Sequence, residues 1–178
     1  RGVIDNSRKA QFPGVSVATM AVGSAALYAF IGRNPAVELH PCSVTHCREV
    51  LQRIDRLCAV NSAQQVDLAG RVNVEWAGTR RISTPGGLPD FAHAASALPA
   101  GRSIVALRST SRLGDSNIVG ELPPQRCALE AGTVDFFVTE HGVAPVRGLT
   151  PRQRSRALIG IAHPQHRDAL MCVQPADR

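Results

Sequence analysis

Lysine is almost absent from this sequence: Lys9 is the only one among 20 lysine and arginine residues. The formal charge of +6 is therefore a guanidinium charge, suited to the planar fork that grips carboxylates and phosphates. An anionic partner is the expectation. The arginines are scattered, with no basic run and no interleaved aromatics, which argues against a nucleic-acid groove. Aromatic residues are scarce too, at 4%, so Val, Leu, Ile and Ala must build the core. Charge is missing altogether from residues 11–32, QFPGVSVATMAVGSAALYAFIG. That run approaches the length of a membrane span, but Pro13, Gly14, Ser16, Thr19, Gly23 and Ser24 interrupt it. It reads as core: a buried strand near 14–20, a turn at Gly23 and a helix near 24–32. The charged, polar start is not that of a secretory leader.

Five cysteines, Cys42, Cys47, Cys58, Cys127 and Cys172, make an odd number. Cys58 lies inside an apolar run, where a free thiol behaves as a small hydrophobe. A reduced, cytoplasmic setting is expected. In HPCSVTHC, the residues His40, Cys42, His46 and Cys47 are close together. Their spacing matches no closed zinc motif and no second ligand pair follows, so no metal is expected.

What is present is alternation. At 178 residues the chain suits one domain, long enough to bury roughly two thirds of its unfolded surface. Strand-like and helix-like pieces follow one another, the pattern of an α/β sheet clothed by helices. THCREVLQRI, residues 45–54, has helical spacing at Val50, Leu51 and Ile54. RLCAVNSA reads as a strand ending near Asn61, and QQVDLAGRVNVEW as a hairpin about Ala69 and Gly70. TPGGLPDF is a glycine-proline loop entering a helix near 90–98. RSIVALRS and TVDFFVTE read as buried strands, with SNIVGEL a shorter one. GLTPRQRSRALIGIAHP carries a full set of helix signals: Thr150 as N-cap, Pro151 in the first turn, Gln153 completing a capping box, and His163-Pro164 as the stop. The expected architecture is a three-layer α/β/α open sheet. VDFFVTEHG then raises a question, because an apolar strand delivers Glu140 and His141 at its end. Ends of strands in open α/β sheets are where ligands are held.

Taken in order, AVNSAQQVDLAGRVN, TPGGLPDF, SIVALRST and VDFFVTEHGVAPVRGLTPRQRSRALIGIAHPQHRDAL resemble the C-terminal domain of the acetyl-CoA hydrolase and CoA-transferase family, which includes 4-hydroxybutyrate CoA-transferases. The resemblance runs from about Val3 to about Leu170. It implies a CoA-transferase-like fold and thioester chemistry with coenzyme A as substrate. A glutamate carboxylate attacks the thioester of an acyl-CoA, giving an acyl-glutamyl anhydride and CoA thiolate. The thiolate returns to form glutamyl-CoA, from which a small carboxylate or water takes the next step. In the family the nucleophilic glutamate lies just before the segment corresponding to RGVID. The resemblance therefore implies that 178 residues form the C-terminal half of a two-domain, dimerising enzyme. The nucleophile and N-terminal domain would lie upstream, and this half alone would be inactive.

The same resemblance names residues. Asn61 matches the asparagine of an INSA pattern and would offer its amide to the thioester or nucleophile. Glu140 matches the glutamate of VTE-x-G, beside the acyl group. Gly101, in PAGRS, falls where a backbone N–H serves the oxyanion hole. Gly86 and Gly87 match the paired glycines of GGQ-x-DF, expected to contact CoA or the acyl group. Departures are also visible. Thr84 and Pro85 replace Gly-Val, Leu88 replaces a polar residue, and Ala100 and Arg102 replace glycine and lysine. Arg108 stands for a common proline and His141 for a tyrosine. A non-catalytic CoA-binding or interaction domain on the same fold is the rival reading.

Overall fold

The structure, a computed structural model, describes residues 4–174; Val3, where the resemblance begins, lies outside them. The chain opens with β1 (Ser16–Ala18), α1 (Ala25–Ile31) and β2 (Val37–Leu39). Two short helical turns follow, α2 (Cys42–Thr45) and α3 (Arg48–Leu51), then β3 (Cys58–Ser62). The next stretch holds β4 (Gln65–Asp67), β5 (Val72–Asn73), β6 (Trp76–Ala77), β7 (Arg80–Arg81) and α4 (Leu88–Ala97). The last part comprises β8 (Arg102–Ala106), β9 (Ile118–Val119), β10 (Phe136–Thr139), β11 (Gly142–Pro145), α5 (Pro151–Gly160) and α6 (Pro164–Cys172).

The α/β reading is borne out. The main sheet has the order β11-β10-β8-β3, with β3, β8 and β10 parallel and β11 antiparallel to β10. A smaller sheet, β5-β4-β9, continues from it, and the hairpin expected about Ala69 and Gly70 is the β4–β5 pair. Asp67 ties that hairpin together. Its fully buried carboxylate accepts from the N–H groups of Ala69, Arg71 and Leu122 and from the Arg71 guanidinium at 2.7 Å.

Strands alternate in burial rather than running buried throughout, which corrects the reading of RSIVALRS and TVDFFVTE. On one face Ala59, Ser103, Val105, Phe137 and Ala144 are buried, under α4 and α5. On the other, Val60, Ile104 and Phe136 stand in one register row and Ser62, Ala106, Val138 and Val143 in the next. Val60 and Val143 are 66% and 58% exposed. This outer face is an apolar floor with little over it.

α5 begins as its signals dictate: the Thr150 hydroxyl accepts from the Gln153 N–H, and the Gln153 side chain accepts from the Thr150 N–H at 3.0 Å. The helix expected over 45–54 is instead two single turns separated at His46 and Cys47. Residues 11–32 do form a strand and a helix, but Met20, Val22, Tyr28 and Phe30 are exposed and α1 buries nothing. Cys58 likewise faces outward. Apolar content located these elements but does not say what covers them.

Candidate active site

Three parallel strands end together. Ser62 aligns with Ala106, and Ala106 with Val138. A cleft at these ends is lined by Ser62, Ala63, Ala106, Leu107, Arg108, Val138 and Thr139. The carboxyl ends of parallel strands leave N–H groups and loop residues facing one crevice, which is where open α/β sheets hold ligands.

Glu140 does not leave the sheet into a loop. With His141 it forms the turn joining β10 to β11, flanked by the paired Thr139 and Gly142. Neither of the two takes a positive φ, whereas Gly142 does, at +146°. The turn is pinned from beneath: the Thr139 hydroxyl donates to the Ile161 carbonyl at 2.6 Å and accepts from the His141 N–H at 3.1 Å. The Glu140 carboxylate is held over the neighbouring strand end. It accepts from the Ser109 N–H at 3.0 and 3.2 Å and from the Ser109 hydroxyl at 2.7 Å. The Ser109 hydroxyl bond above all, then backbone N–H donation, lowers the Glu140 pKa from 4.5 to about 2. His141 adds a weak contribution with its Nε2 at 4.0 Å.

Asn61 belongs to β3, opposite Val105. It is half-buried, and among the described residues its amide makes no hydrogen bond. It lines a second cleft with His46, Leu57, Ala59, Gly87 and Phe91. From the strand spacing, the Cα atoms of Asn61 and Glu140 lie about 14 Å apart at the same end of the sheet. Gly87 abuts that cleft closely: a Cβ there would lie 2.5 Å from the His46 Nε2. Gly86 takes φ +57° with open space around it. The glycine pair thus lets the chain turn and approach the Asn61 cleft.

Gly101 is placed elsewhere. It precedes β8, at the opposite end of the parallel strands, about 24 Å from Glu140 by strand geometry. Its N–H donates to the Leu98 carbonyl at 3.1 Å, and a Cβ would fall 2.0 Å from the Ala95 carbonyl oxygen. Here the glycine lets the end of α4 turn tightly into β8. Asn61 and Gly87 share one cleft, Glu140 stands at the same end of the sheet, and Gly101 lies at the opposite end.

Ser109 escaped the reading of the sequence, though the polar pair after SIVALR marked a strand end. His46, weighed in the sequence only as part of a metal cluster, meets the Phe91 ring edge to face at 5.3 Å. The departure at Leu88 concerns the core, since Leu88 is 3% exposed among apolar side chains. His40, His46 and Cys47 are engaged with Glu38, Thr45 and Glu49 respectively.

A mostly parallel α/β sheet thus carries an anchored carboxylate and a free amide at the carboxyl ends of its strands. Residues 23–173 match the family described as acetyl-CoA hydrolase/transferase C-terminal domain, and the chain belongs to that family. It is 39% identical over 172 residues to the 4-hydroxybutyrate coenzyme A transferase of Clostridium kluyveri, covering 96% of this chain and 40% of that protein. It is 37% identical over 171 residues to the succinyl-CoA:cyclohexane-1-carboxylate CoA transferase of Geobacter metallireducens, covering 95% and 39%. Among solved structures, the 4-hydroxybutyrate CoA-transferase of Porphyromonas gingivalis superposes with a TM-score of 0.80 at 35% identity, over 96% of this chain and 39% of that one. RipA of Yersinia pestis gives 0.85 at 31% identity, over 97% and 38%. The chain thus spans about two fifths of the length of the curated relatives it matches. Among the described residues no helix is long and apolar enough to cross a membrane.

Proposed function

We propose that this chain is the C-terminal domain of an acyl-CoA:carboxylate CoA-transferase or acyl-CoA hydrolase working through a glutamyl-CoA thioester. The observation that carries the reading is an ionised, anchored Glu140 and an unpartnered Asn61 amide at the same end of the parallel strands, their Cα atoms about 14 Å apart. The attacking glutamate would come from a preceding part of a longer protein, with an N-terminal domain closing the crevice. Of the six glutamates, all among the described residues, Glu140 alone stands at the strand ends. Glu38 pairs with His40, Glu75 with Arg81 and Glu121 with Arg71.

The chemistry assigns distinct work to the two residues. Attack on the thioester carbonyl pushes an electron pair onto oxygen, and an amide N–H aimed there lowers the barrier. Asn61 supplies such a donor. Glu140 cannot be a general acid at neutral pH, because its carboxyl is already ionised, and at about 2 its pKa makes it a poor base. Its role is a fixed negative charge and acceptor that orients the acyl group or the incoming acid. Gly86 and Gly87 let backbone approach the pantetheine arm. All five cysteines are free, which supports a reducing, cytoplasmic setting. Homo-oligomerisation of the longer protein belongs to the same reading.

The test uses the longer protein and intact-mass detection of the CoA adduct after mixing with acyl-CoA. Glu140→Gln preserves shape and removes charge, and should slow adduct formation by about tenfold or more. Unchanged adduct formation would remove Glu140 from the site. Calorimetric titration of the 178-residue chain with CoA should show binding without turnover. Consumption of acetyl-CoA by that chain would place the nucleophile within it and overturn the upstream assignment.

A further inference from the structure

We propose that Arg108 is the carboxylate-recognition residue of this site, selecting substrates that carry a second carboxylate beyond the one that reacts: dicarboxylic acids or their monothioesters. The proposal rests on the acyl-CoA reading above and deepens it.

Arg108 lines the cleft at the strand ends with Ser62, Val138 and Thr139. Among the described residues its guanidinium has no hydrogen-bond or ion-pair partner. Four other arginines of the domain are committed, Arg71 to Asp67, Arg81 to Glu75, Arg147 to Asp135 and Arg154 to the Ala69 carbonyl. Arg33, Arg56, Arg80, Arg112 and Arg156 make no such bond either, but among the described residues Arg108 is the arginine that lines this cleft. The acid nearest at hand does not take Arg108. Glu140 spends both carboxylate oxygens on Ser109, the residue next to Arg108. An exposed arginine without a partner therefore lines the same cleft as Ala106 and Val138, where the common residue of the family, a proline, would place no charge.

The anion it fits is a carboxylate of the acyl donor or acceptor. The phosphates of CoA are carried at the far end of the pantetheine arm, away from the thioester that Asn61 and Glu140 would flank. A guanidinium fork binds a carboxylate through two parallel N–H···O bonds. Both oxygens of a group held in this way are engaged, so the gripped carboxylate is not the attacking one. It must be a second, non-reacting group on the same molecule. A monocarboxylate would offer the fork only an alkyl end and forgo the two charge-assisted bonds that a second carboxylate makes.

The first test follows the Arg108 side-chain Nε–H signal of the 178-residue chain by NMR during titration with succinate and with butyrate, acids of equal chain length. Succinate should move the signal and saturate it at a concentration several-fold lower than butyrate. Equal responses, or no response to either acid, would overturn the proposal. The second test measures kcat/KM of the longer protein for the two acids as CoA acceptors. In Arg108→Ala the succinate-to-butyrate ratio should fall by at least about tenfold, with Arg108→Lys retaining part of it. An unchanged ratio with CoA transfer intact would sink the Arg108 assignment and keep the transferase reading. Loss of transfer to every acid in the wild-type protein would sink the reaction, while the NMR comparison would still decide what Arg108 binds.

Discussion

Glu140 and Ser109, 31 residues apart, are joined at the ends of adjacent strands by three contacts, two from the Ser109 N–H and one from its hydroxyl. Ser109 is fully buried and cannot follow the carboxylate if it moves. The hairpin turn carrying Glu140 is therefore fastened to the loop that follows β8, and the same fastening keeps the carboxylate ionised.

Replacing Ser109 by Ala should raise the Glu140 pKa from about 2 back toward 4.5, because the largest stabilising contact of the charged form is lost. The backbone N–H would hold part of the shift. Since the folded pKa is the depressed one, the stabilisation is fully present above pH 4.5 and fades as pH falls toward 2. Carbon NMR titration of the Glu140 carboxyl reads this directly. A midpoint unchanged by Ser109→Ala would show that the hydroxyl contributes nothing.

Asp135 secures the other end of β10. Its buried carboxylate accepts from the Ser103 N–H at 2.7 Å and from the Arg147 Nε at 2.5 Å. Substituting Ala strands a buried N–H and releases the guanidinium. The expected loss is about 3 kcal/mol, seen as a lower urea midpoint with an unaltered slope. Arg147→Ala should cost a comparable amount, because it leaves the Asp135 charge buried with only the Ser103 donor.

Local signals were legible where chemistry is local. Thr150, Pro151 and Gln153 specify the start of α5 without help from the rest of the chain, and Ala69-Gly70 specifies a hairpin. The β10–β11 hairpin was not legible, since Glu140 and His141 supply neither the Asn-Gly nor the Asp-Gly expected at a two-residue turn. The pattern placed Asn61 and Glu140 at strand ends and the resemblance gave them roles, and the structure sets both at the carboxyl end of the parallel strands. Ser109 was missed because its partner is 31 residues away and becomes a neighbour only through parallel pairing of β8 with β10. Exposure of Met20, Val22 and Phe30 was equally unreadable, for an apolar pattern does not identify the surface that would cover it.

Ser155 lies inside α5, fully buried, with no hydrogen-bond partner for its hydroxyl among the described residues. A stranded hydroxyl costs desolvation, and serine is a poorer helix former than alanine. Ser155→Ala should therefore stabilise the domain by roughly 1 kcal/mol, measured as a raised thermal midpoint. A lowered midpoint would mean that the hydroxyl has a partner in solution, such as an ordered water.

Gly101 and Gly87 allow the sharpest separation of packing from site. A methyl group at Gly101 would overlap the Ala95 carbonyl oxygen at 2.0 Å and crowd Leu98 at 3.0 Å. The obstacle is mostly backbone, so relief requires α4 and β8 to part. Gly101→Ala should destabilise by about 1–3 kcal/mol, the range of overpacked cores. At Gly87 the methyl would meet the His46 ring at 2.5 Å and Phe91 at 3.2 Å. These are side chains that can swing, but they would swing into the cleft that Asn61 lines. Gly87→Ala should therefore change stability less and weaken CoA binding more. Calorimetric titration alongside thermal denaturation checks the two together. If Gly101→Ala weakened CoA binding with no loss of stability, Gly101 would return to the site and the position of the crevice would have to be redrawn.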